Sequence, residues 1–386
     1  MSRRSTGPPH RPLITEHDRL RHVLAVGATG AGKSTLLRRL AQDDMEGGRG
    51  LLLIDPHADL AASVRDRLPR RRKNDLLFLD GTDPANCPGL NPLRKVPSER
   101  RALAASNLLA TLQNIFEDGW GPRTQHLLRH VFLALMEIRG STLVDAVALL
   151  ADEGRRTSIL RQIRDPHVLN FFAKELTSYS KSFLAEILAA PLNKLAAIVA
   201  PVITRAIVTK SRPALDARRV LDRQGILLAS LPKGLIGDEG TLLLGGLLLG
   251  AFAQAAMSRA DTAADGRAPF SIIVDEVASF ATGPFVSFVT ESRKYRVGLA
   301  LATQSVAALD PGLRAHLLGN VGTLACFRVG ADDAETMSAA LVGAFSPHAL
   351  QSLDTGEFVL KVGVEAPYLV RPDGARLRPW VPTDGS

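Results

Sequence analysis

Nine consecutive residues carry the clearest chemistry in the sequence: Gly27-Ala28-Thr29-Gly30-Ala31-Gly32-Lys33-Ser34-Thr35. The first eight have the spacing G-x-x-x-x-G-K-S. Gly27, Gly30 and Gly32 let the backbone wrap closely enough for its N–H groups to point at phosphate oxygens. Lys33 reaches the β- and γ-phosphates, and Ser34 offers a hydroxyl to Mg²⁺. The run His22–Val26 reads as a strand leading into this loop, and Leu36–Leu40 reads as part of the helix leaving it. The positive end of that helix dipole adds to the anion site. Residues 27–35 are therefore the expected nucleotide-binding segment, with ATP and Mg²⁺ as the expected ligands.

Binding a nucleotide is only half of hydrolysing it. Ser271-Ile272-Ile273-Val274-Asp275-Glu276 is a buried strand ending in two acids. Asp275 is placed to hold Mg²⁺ through its water shell, and Glu276 to polarise the attacking water. A second apolar run, Gly298–Ala302, ends in Thr303-Gln304. Gln304 is the candidate sensor, able to bond the γ-phosphate or the water. Three strand ends then converge on one crevice, as open α/β sheets require. Arg293 and Arg328 are candidates for the arginine that meets charge developing on the transferring phosphoryl group. Asp55 ends the strand Leu51–Ile54 and faces the same crevice; assisting water or metal and fixing the Asp-Pro turn both remain open for it.

Positioning these residues takes a parallel sheet. Short continuous apolar runs at 22–26, 51–54, 76–79, 225–229, 270–274, 298–302 and 323–329 fit strands covered on both faces by helices. A hairpin is expected within 356–369. Helices are expected at 33–44 and 58–68. From 98 to 210 strand signal fades, and helical stretches at 98–116, 123–138, 142–151, 155–163, 166–176 and 180–190 replace it, with Pro191 and Pro201 interrupting the last part. The division that follows is a basic disordered arm (1–20), a first core part (21–97), an all-α insertion (98–215), a second core part (216–370) and a mobile tail (371–386). The fold class is α/β. The apolar run Thr241–Met257 is shorter than the roughly 20 residues of a membrane span and contains glycines and a glutamine. It reads as a helix buried against the sheet.

The 386 residues are 46% hydrophobic but only 5% aromatic, and the formal net charge is +8. That balance favours polyanionic partners, nucleic acid above all. Cys87 and Cys326 are too few and too far apart for a zinc cluster or a disulfide framework, which fits a reducing cytosol. The densest basic run, Arg65–Lys73, reads as a solvated helix end. Lys233 and the stretch around Arg205, Lys210 and Arg212 are the candidates for DNA contact. With no interleaved aromatics, recognition of the backbone rather than of sequence is expected.

In order along the chain, GATGAGKS, LLLIDPHADLA, FLD…CPGLNPL, GPRTQHLLR, SIIVDE, ESRKYRVGLALATQS and FRVGADDAE resemble the HerA–FtsK superfamily of ring-forming ATPases. Within it the likeness is to the cytosolic ATPase of conjugative coupling proteins of type IV secretion (TraD/TrwB-like) and to HerA-like helicases. The resemblance implies a RecA-like P-loop NTPase core with an all-α insertion, a homo-hexamer around a channel, and ATP-driven DNA translocation. Lys33 and Ser34 match the Walker A motif of that family, Asp275 and Glu276 its Walker B, and Gln304 its sensor glutamine. Arg293 matches the arginine acting in trans on the adjacent subunit, and Asp55 the acid ending the second strand. Ala58 stands where many relatives have glycine. Coupling proteins begin with transmembrane helices and HerA proteins with a β-barrel, whereas some twenty residues precede the first strand here. A cytoplasmic motor is expected, recruited to the membrane or its cargo by a separate secretion component or nuclease. A secretion ATPase that moves protein and never holds DNA is the alternative. Glu276 and Gln304 together argue against a nucleotide-binding adaptor without turnover.

Overall fold

The structure is a computed structural model that describes residues 13–94, 96–116, 119–210, 212, 214–372 and 376–377. Ten strands form one sheet: β1 (Val23–Val26), β2 (Gly50–Asp55), β3 (Leu76–Asp80), β4 (Ile226–Ser230), β5 (Phe270–Val274), β6 (Val297–Thr303), β7 (Thr323–Cys326), β8 (Phe358–Val362), β9 (Tyr368–Val370) and β10 (Arg376–Leu377). The order across it is β10-β9-β8-β7-β1-β6-β5-β2-β4-β3. From β3 to β7 every pairing is parallel, so all those strands end on the same edge. The last three strands extend the sheet antiparallel.

Alternate residues of each strand serve two cores, as a period of two demands. Val23, Ala25, Leu51, Leu53, Ile226 and Leu228 face the helices Lys33–Glu46 and Asp59–Arg65. Leu24, Val26, Leu52, Ile54, Leu227 and Ala229 face the other way, into a core shared with the helix Asp238–Ser258 and the helices between β3 and β4. The glycines of that long helix make room for close neighbours. A Cβ on Gly245 would lie 2.2 Å from the Phe280 ring, and one on Gly246 2.6 Å from Thr111 of the helix Ser98–Ile115. The run Thr241–Met257 lies in a helix that is, contrary to the expected shortness, long and apolar enough to cross a membrane by length and composition, but 67% of its apolar window is buried inside the chain.

The helical segment leaves the sheet after the edge strand β3 and returns in β4 beside it, so it does not interrupt the strand order. Its two ends meet at a bridge between Gly89 and Ala214. Lys210 ties this neck, its ammonium donating to the carbonyls of Pro84, Ala85 and Cys87 at 3.2, 2.7 and 2.8 Å.

Several expectations need correction. The helix Lys181–Val199 runs through Pro191; the break comes at Pro201, which caps the next helix, Val202–Thr209. That helix through Pro191 is long and apolar enough to cross a membrane by length and composition, and only 22% of it is buried. The stretch 166–176 is a helix Pro166–Asn170 continued by a π-helical turn Phe171–Glu175. The strand expected over 323–329 ends at Cys326.

Residues 1–12 of the expected arm lie outside the described residues, but 13–20 are built into the fold. Ile14 is buried, and Glu16–Arg19 is a helical turn whose Arg19 guanidinium pairs with buried Asp44 and donates to the Leu40 carbonyl at 2.9 Å. Residues 373–375 and 378–386 of the expected tail are outside the described residues, whereas Arg376–Leu377 pairs with β9.

Ala58 and His22 are two of the six non-glycine residues that hold positive φ among the described residues. Ala58, with φ +74°, precedes the helix Asp59–Arg65. An L-residue there costs roughly 1–2 kcal/mol, part of which glycine returns as unfolded-chain entropy. Ala58→Gly should therefore stabilise the chain by about 0.5–1 kcal/mol in urea unfolding.

His22, with φ +69°, is buried just before β1. Its Nε2 lies 2.9 Å from the Val289 carbonyl and its Nδ1 accepts the Leu299 N–H at 3.2 Å, which fits a neutral ring protonated on Nε2. Burial, with Arg293 nearby, pushes its pKa down to about 4 against the pull of the Val289 bond. The unfolded chain takes that proton near 6.5, so stability is full above pH 6.5 and is lost as pH falls toward 4. Comparing urea unfolding of the natural chain with His22→Gln across that window should isolate a loss on the order of 3 kcal/mol.

Candidate nucleotide site

The site is built at the edge where the parallel strands end. β1 runs into the loop Gly27–Gly32, and the helix Lys33–Glu46 follows. Gly30 (φ +74°) and Gly32 (φ +121°) take backbone conformations that L side chains avoid. The loop is gripped from three sides. Gly27 N–H donates to the Thr303 carbonyl at 3.3 Å, Ala28 N–H to the Arg328 carbonyl at 2.8 Å, and Gly356 N–H to the Ala31 carbonyl at 2.9 Å. A Cβ on Gly27 would lie 2.5 Å from Cβ of Phe327. A Cβ on Gly32, the third glycine of the motif, would lie 3.1 Å from the Phe327 ring and 3.2 Å from Cα of Gly356.

Lys33 lies folded across the loop, its ammonium donating to the carbonyls of Gly27 at 2.6 Å and Ala28 at 3.1 Å. Burial lowers its pKa, while Asp275 and Glu276 act to raise it. Beside it the Ser34 hydroxyl donates to Asp275 Oδ2 at 3.3 Å. A hydroxyl and a carboxylate side by side are the hard oxygen donors that Mg²⁺ takes, usually through retained waters. The residues present therefore fit a magnesium–nucleotide complex. The Asp275 carboxyl is pushed above its usual range by burial first and by neighbouring Asp55 second, with Ser34 and Lys33 opposing.

Asp55 ends β2 fully buried. Its two oxygens accept the N–H groups of His57 and Ala61, both at 2.8 Å. The carboxylate thus fixes its own Asp-Pro turn and the first turn of the next helix. Glu276 follows Asp275 in left-handed backbone, φ +63°, and its Oε1 lies 3.2 Å from the Thr303 hydroxyl. Gln304 is exposed beside the loop, and its Oε1 accepts the Thr29 hydroxyl at 2.9 Å.

Lys33, Ser34, Asp275, Glu276, Gln304 and Thr29 are thus brought together at one edge. Arg328 stands on that edge too, just beyond β7, with its side chain exposed. Arg293 does not join them. It sits exposed in the 3₁₀ turn Ser292–Tyr295, before the start of β6. β6 spans 7 residues, so at about 3.3 Å per residue its two ends lie on the order of 20 Å apart. Arg293 therefore lies at the far edge of the sheet from its own phosphate loop.

The basic candidates divide as well. In the run Arg65–Lys73, Arg72 is buried and bonds Asp75 and the carbonyls of Met45, Arg49 and Gln224. Arg65 pairs with Asp66 and covers the Phe78 ring. Arg205 donates to the Val199 and Ala200 carbonyls, and Lys210 is the neck clamp. Half-buried Lys233 lies 3.7 Å from exposed Asp238, and Arg212 is exposed.

Thr303, Phe327 and Gly356 were not singled out from the sequence. Thr303 adjoins a residue that was, and its place at a strand end was the available signal. Phe327 and Gly356 grip the phosphate loop from about 300 residues away; Phe327 opens the run FRVGADDAE, but nothing local marks either residue as a contact of that loop.

No protein-family model matches the chain, and no curated protein matches it. Solved structures do. The plasmid coupling protein TrwB in complex with ADP and Mg²⁺ aligns with a TM-score of 0.69 at 16% identity, over 96% of this chain and 92% of that one. The unbound monoclinic form of the bacterial conjugative coupling protein TrwBdeltaN70 gives 0.67 at 15%, over 95% and 88%. VirB4 of Thermoanaerobacter pseudethanolicus gives 0.58 at 14%, over 91% and 88%. The chain shares with these proteins the RecA-like P-loop NTPase fold, here a mostly parallel sheet carrying an all-α segment between β3 and β4.

Proposed function

We propose that this chain is an ATP-hydrolysing ring motor that moves DNA, of the conjugative coupling-protein or HerA type. The observation that carries the hydrolytic part is the convergence of Lys33, Ser34 with Asp275, Glu276 and Gln304 on one sheet edge. Residues 27–35 hold the triphosphate, with Lys33 leaving its loop carbonyls to reach the β- and γ-phosphates. Ser34 and Asp275 hold Mg²⁺, which neutralises charge on the phosphates. Glu276 takes the proton of the attacking water as the new bond to the γ-phosphorus forms and the bond to the ADP oxygen breaks. Gln304 orients that water or the γ-phosphate.

The place of Arg293 supports assembly. An arginine at the far edge from its own loop is out of reach of its own nucleotide and open to a neighbour's, which suits a closed ring, a hexamer in this reading. The nucleic-acid part rests on the +8 charge, on half-buried Lys233 and exposed Arg212, and on the TrwB-like fold. A cytoplasmic place, with recruitment by a separate membrane component or nuclease, completes the reading. One observation favours the alternative of a protein cargo: Arg72, Arg205 and Lys210 are committed to bonds inside the fold.

Steady-state ATPase rate, with single- and double-stranded DNA over a salt series, separates these readings. Stimulation that fades with salt is expected, because each neutralised phosphate releases counterion. A rate indifferent to DNA would transfer the motor to a protein cargo. Glu276→Gln should bind ATP and lose turnover, and unchanged activity in that variant would remove Glu276 as the base.

The role in trans has its own measurement. Arg293→Ala and Lys33→Ala should each be inactive alone. Mixed rings should recover part of the activity, because one variant supplies an intact phosphate loop and the other the arginine. Absence of any recovery in rings shown to mix would place the stimulating charge elsewhere, with Arg328 the next residue to test.

A further inference from the structure

Thr303 is the last residue of β6 and is 1% exposed. Its hydroxyl oxygen lies 3.2 Å from Glu276 Oε1 and 3.0 Å from the Ser305 carbonyl. Among the described residues it is the side chain that holds the Glu276 carboxylate. Register explains the meeting. β5 pairs with β6 as far as Val274 opposite Leu301. β5 then ends and the turn through Asp275 and Glu276 follows, while β6 runs on two residues to Thr303, whose side chain meets Glu276. On its other side β6 pairs with β1 through Val26 and Thr303. The Thr303 carbonyl there accepts the Gly27 N–H, while adjoining Gln304 accepts the Thr29 hydroxyl. One dipeptide therefore touches the phosphate loop on one side and the acidic strand end on the other.

Resting on the hydrolytic reading above, we propose that Thr303 is a positioning residue for Glu276. The terminal torsion of a glutamate is broad, so an untethered carboxylate samples many orientations. A hydroxyl bonded to Oε1 selects one of them and leaves Oε2 to take the proton of the attacking water. Alignment of that kind is where much of the rate of a positioned reaction comes from. The threonine hydroxyl has a single proton, and the Ser305 carbonyl is its second acceptor. The hold on Glu276 can therefore be made or released without moving the strand.

The test uses the full chain in four forms: natural, Thr303→Val, Thr303→Ser and Glu276→Gln. ATP turnover and the equilibrium affinity for a fluorescent ATP analogue are measured on each, with melting temperature as the check on folding. Valine keeps the β-branched shape suited to a strand end and removes the hydroxyl. Loss of a group that orients a functional side chain typically costs on the order of 10- to 100-fold. We expect Thr303→Val to lower kcat by that factor with analogue affinity unchanged, and Thr303→Ser to retain most of the natural rate.

Natural kcat in Thr303→Val overturns the proposal. So does a joint fall of kcat and affinity that serine does not rescue, which assigns Thr303 to packing. These outcomes are distinct from failure of the hydrolytic reading, in which the natural chain has no turnover or Glu276→Gln retains it; either result removes both. Should valine prevent folding, Thr303→Ala is read by the same criteria.

Discussion

The pairing of β6 between β1 and β5 is the constraint on which the rest of this structure depends. A phosphate loop needs only its own strand and helix, but hydrolysis needs groups from other parts of the chain brought within hydrogen-bond reach of it. Parallel strands end on one edge, and their register decides which residues stand opposite each other there. Val26 is opposite Thr303, and Val274 is opposite Leu301. A slip of one residue on β6 would turn Thr303 toward the opposite face and move Gln304 away from Thr29. That slip is resisted along the whole strand, since all seven residues of β6 are buried between helices on both faces. The apolar packing of the strand is thus what gives the site its geometry.

The charges at that edge are arranged around the same pairing. Asp55 ends β2 and Asp275 follows its neighbour β5; burial first, and then the nearness of Asp55, raises the Asp275 carboxyl. Two buried acids so close are tolerated because each has its own donors: backbone N–H groups for Asp55, and Ser34 with Lys33 nearby for Asp275. The arrangement divides their work. With both oxygens taken by the turn, Asp55 keeps the loop after β2 in place. Asp275 has one weak bond to Ser34 and remains the carboxylate open to a cation. Burial works against the charged form of Lys33, and the two acids after β5 work for it. Its ammonium and the acids are therefore electrostatically interdependent.

How much could be read from the sequence follows from how far each interaction reaches along the chain. The loop with Gly30 and Gly32 in positive φ was legible because its chemistry is contiguous. The acidic pair after β5 and the Thr303-Gln304 pair at the end of β6 were legible because short apolar runs announce strands and polar residues end them. Helix boundaries within 153–178 were less so, since the π-helical turn at Phe171–Glu175 shifts the bonding from i→i+4 to i→i+5 with no breaker residue to mark it. Pro191 misled for a physical reason as well. Its missing N–H and its ring favour a break, yet half-buried and buried neighbours such as Leu188, Leu192 and Leu195 hold the helix through it. The grip of Phe327 and Gly356 on the phosphate loop, and that of His22 on the start of β6, are tertiary contacts between segments that local patterning does not connect.

That last contact bears on how one strand can serve two ends of the molecule. His22 is fixed by the Val289 carbonyl and the Leu299 N–H, which bracket the turn carrying Arg293. At the other end of the same strand, Thr303 and Gln304 meet the acidic loop and the phosphate loop. Both ends are thus anchored to β1, one through the residue that precedes it and the other through the loop that follows it. A strand held this way shifts as a unit or not at all, because its buried backbone bonds to both neighbours leave no slack for one end to move alone. In the proposed ring, such a strand spans the distance between its own nucleotide and the edge that faces a neighbour's. The rigidity that fixes the catalytic geometry therefore extends along the whole strand, from the His22 contact to the Thr303 contact.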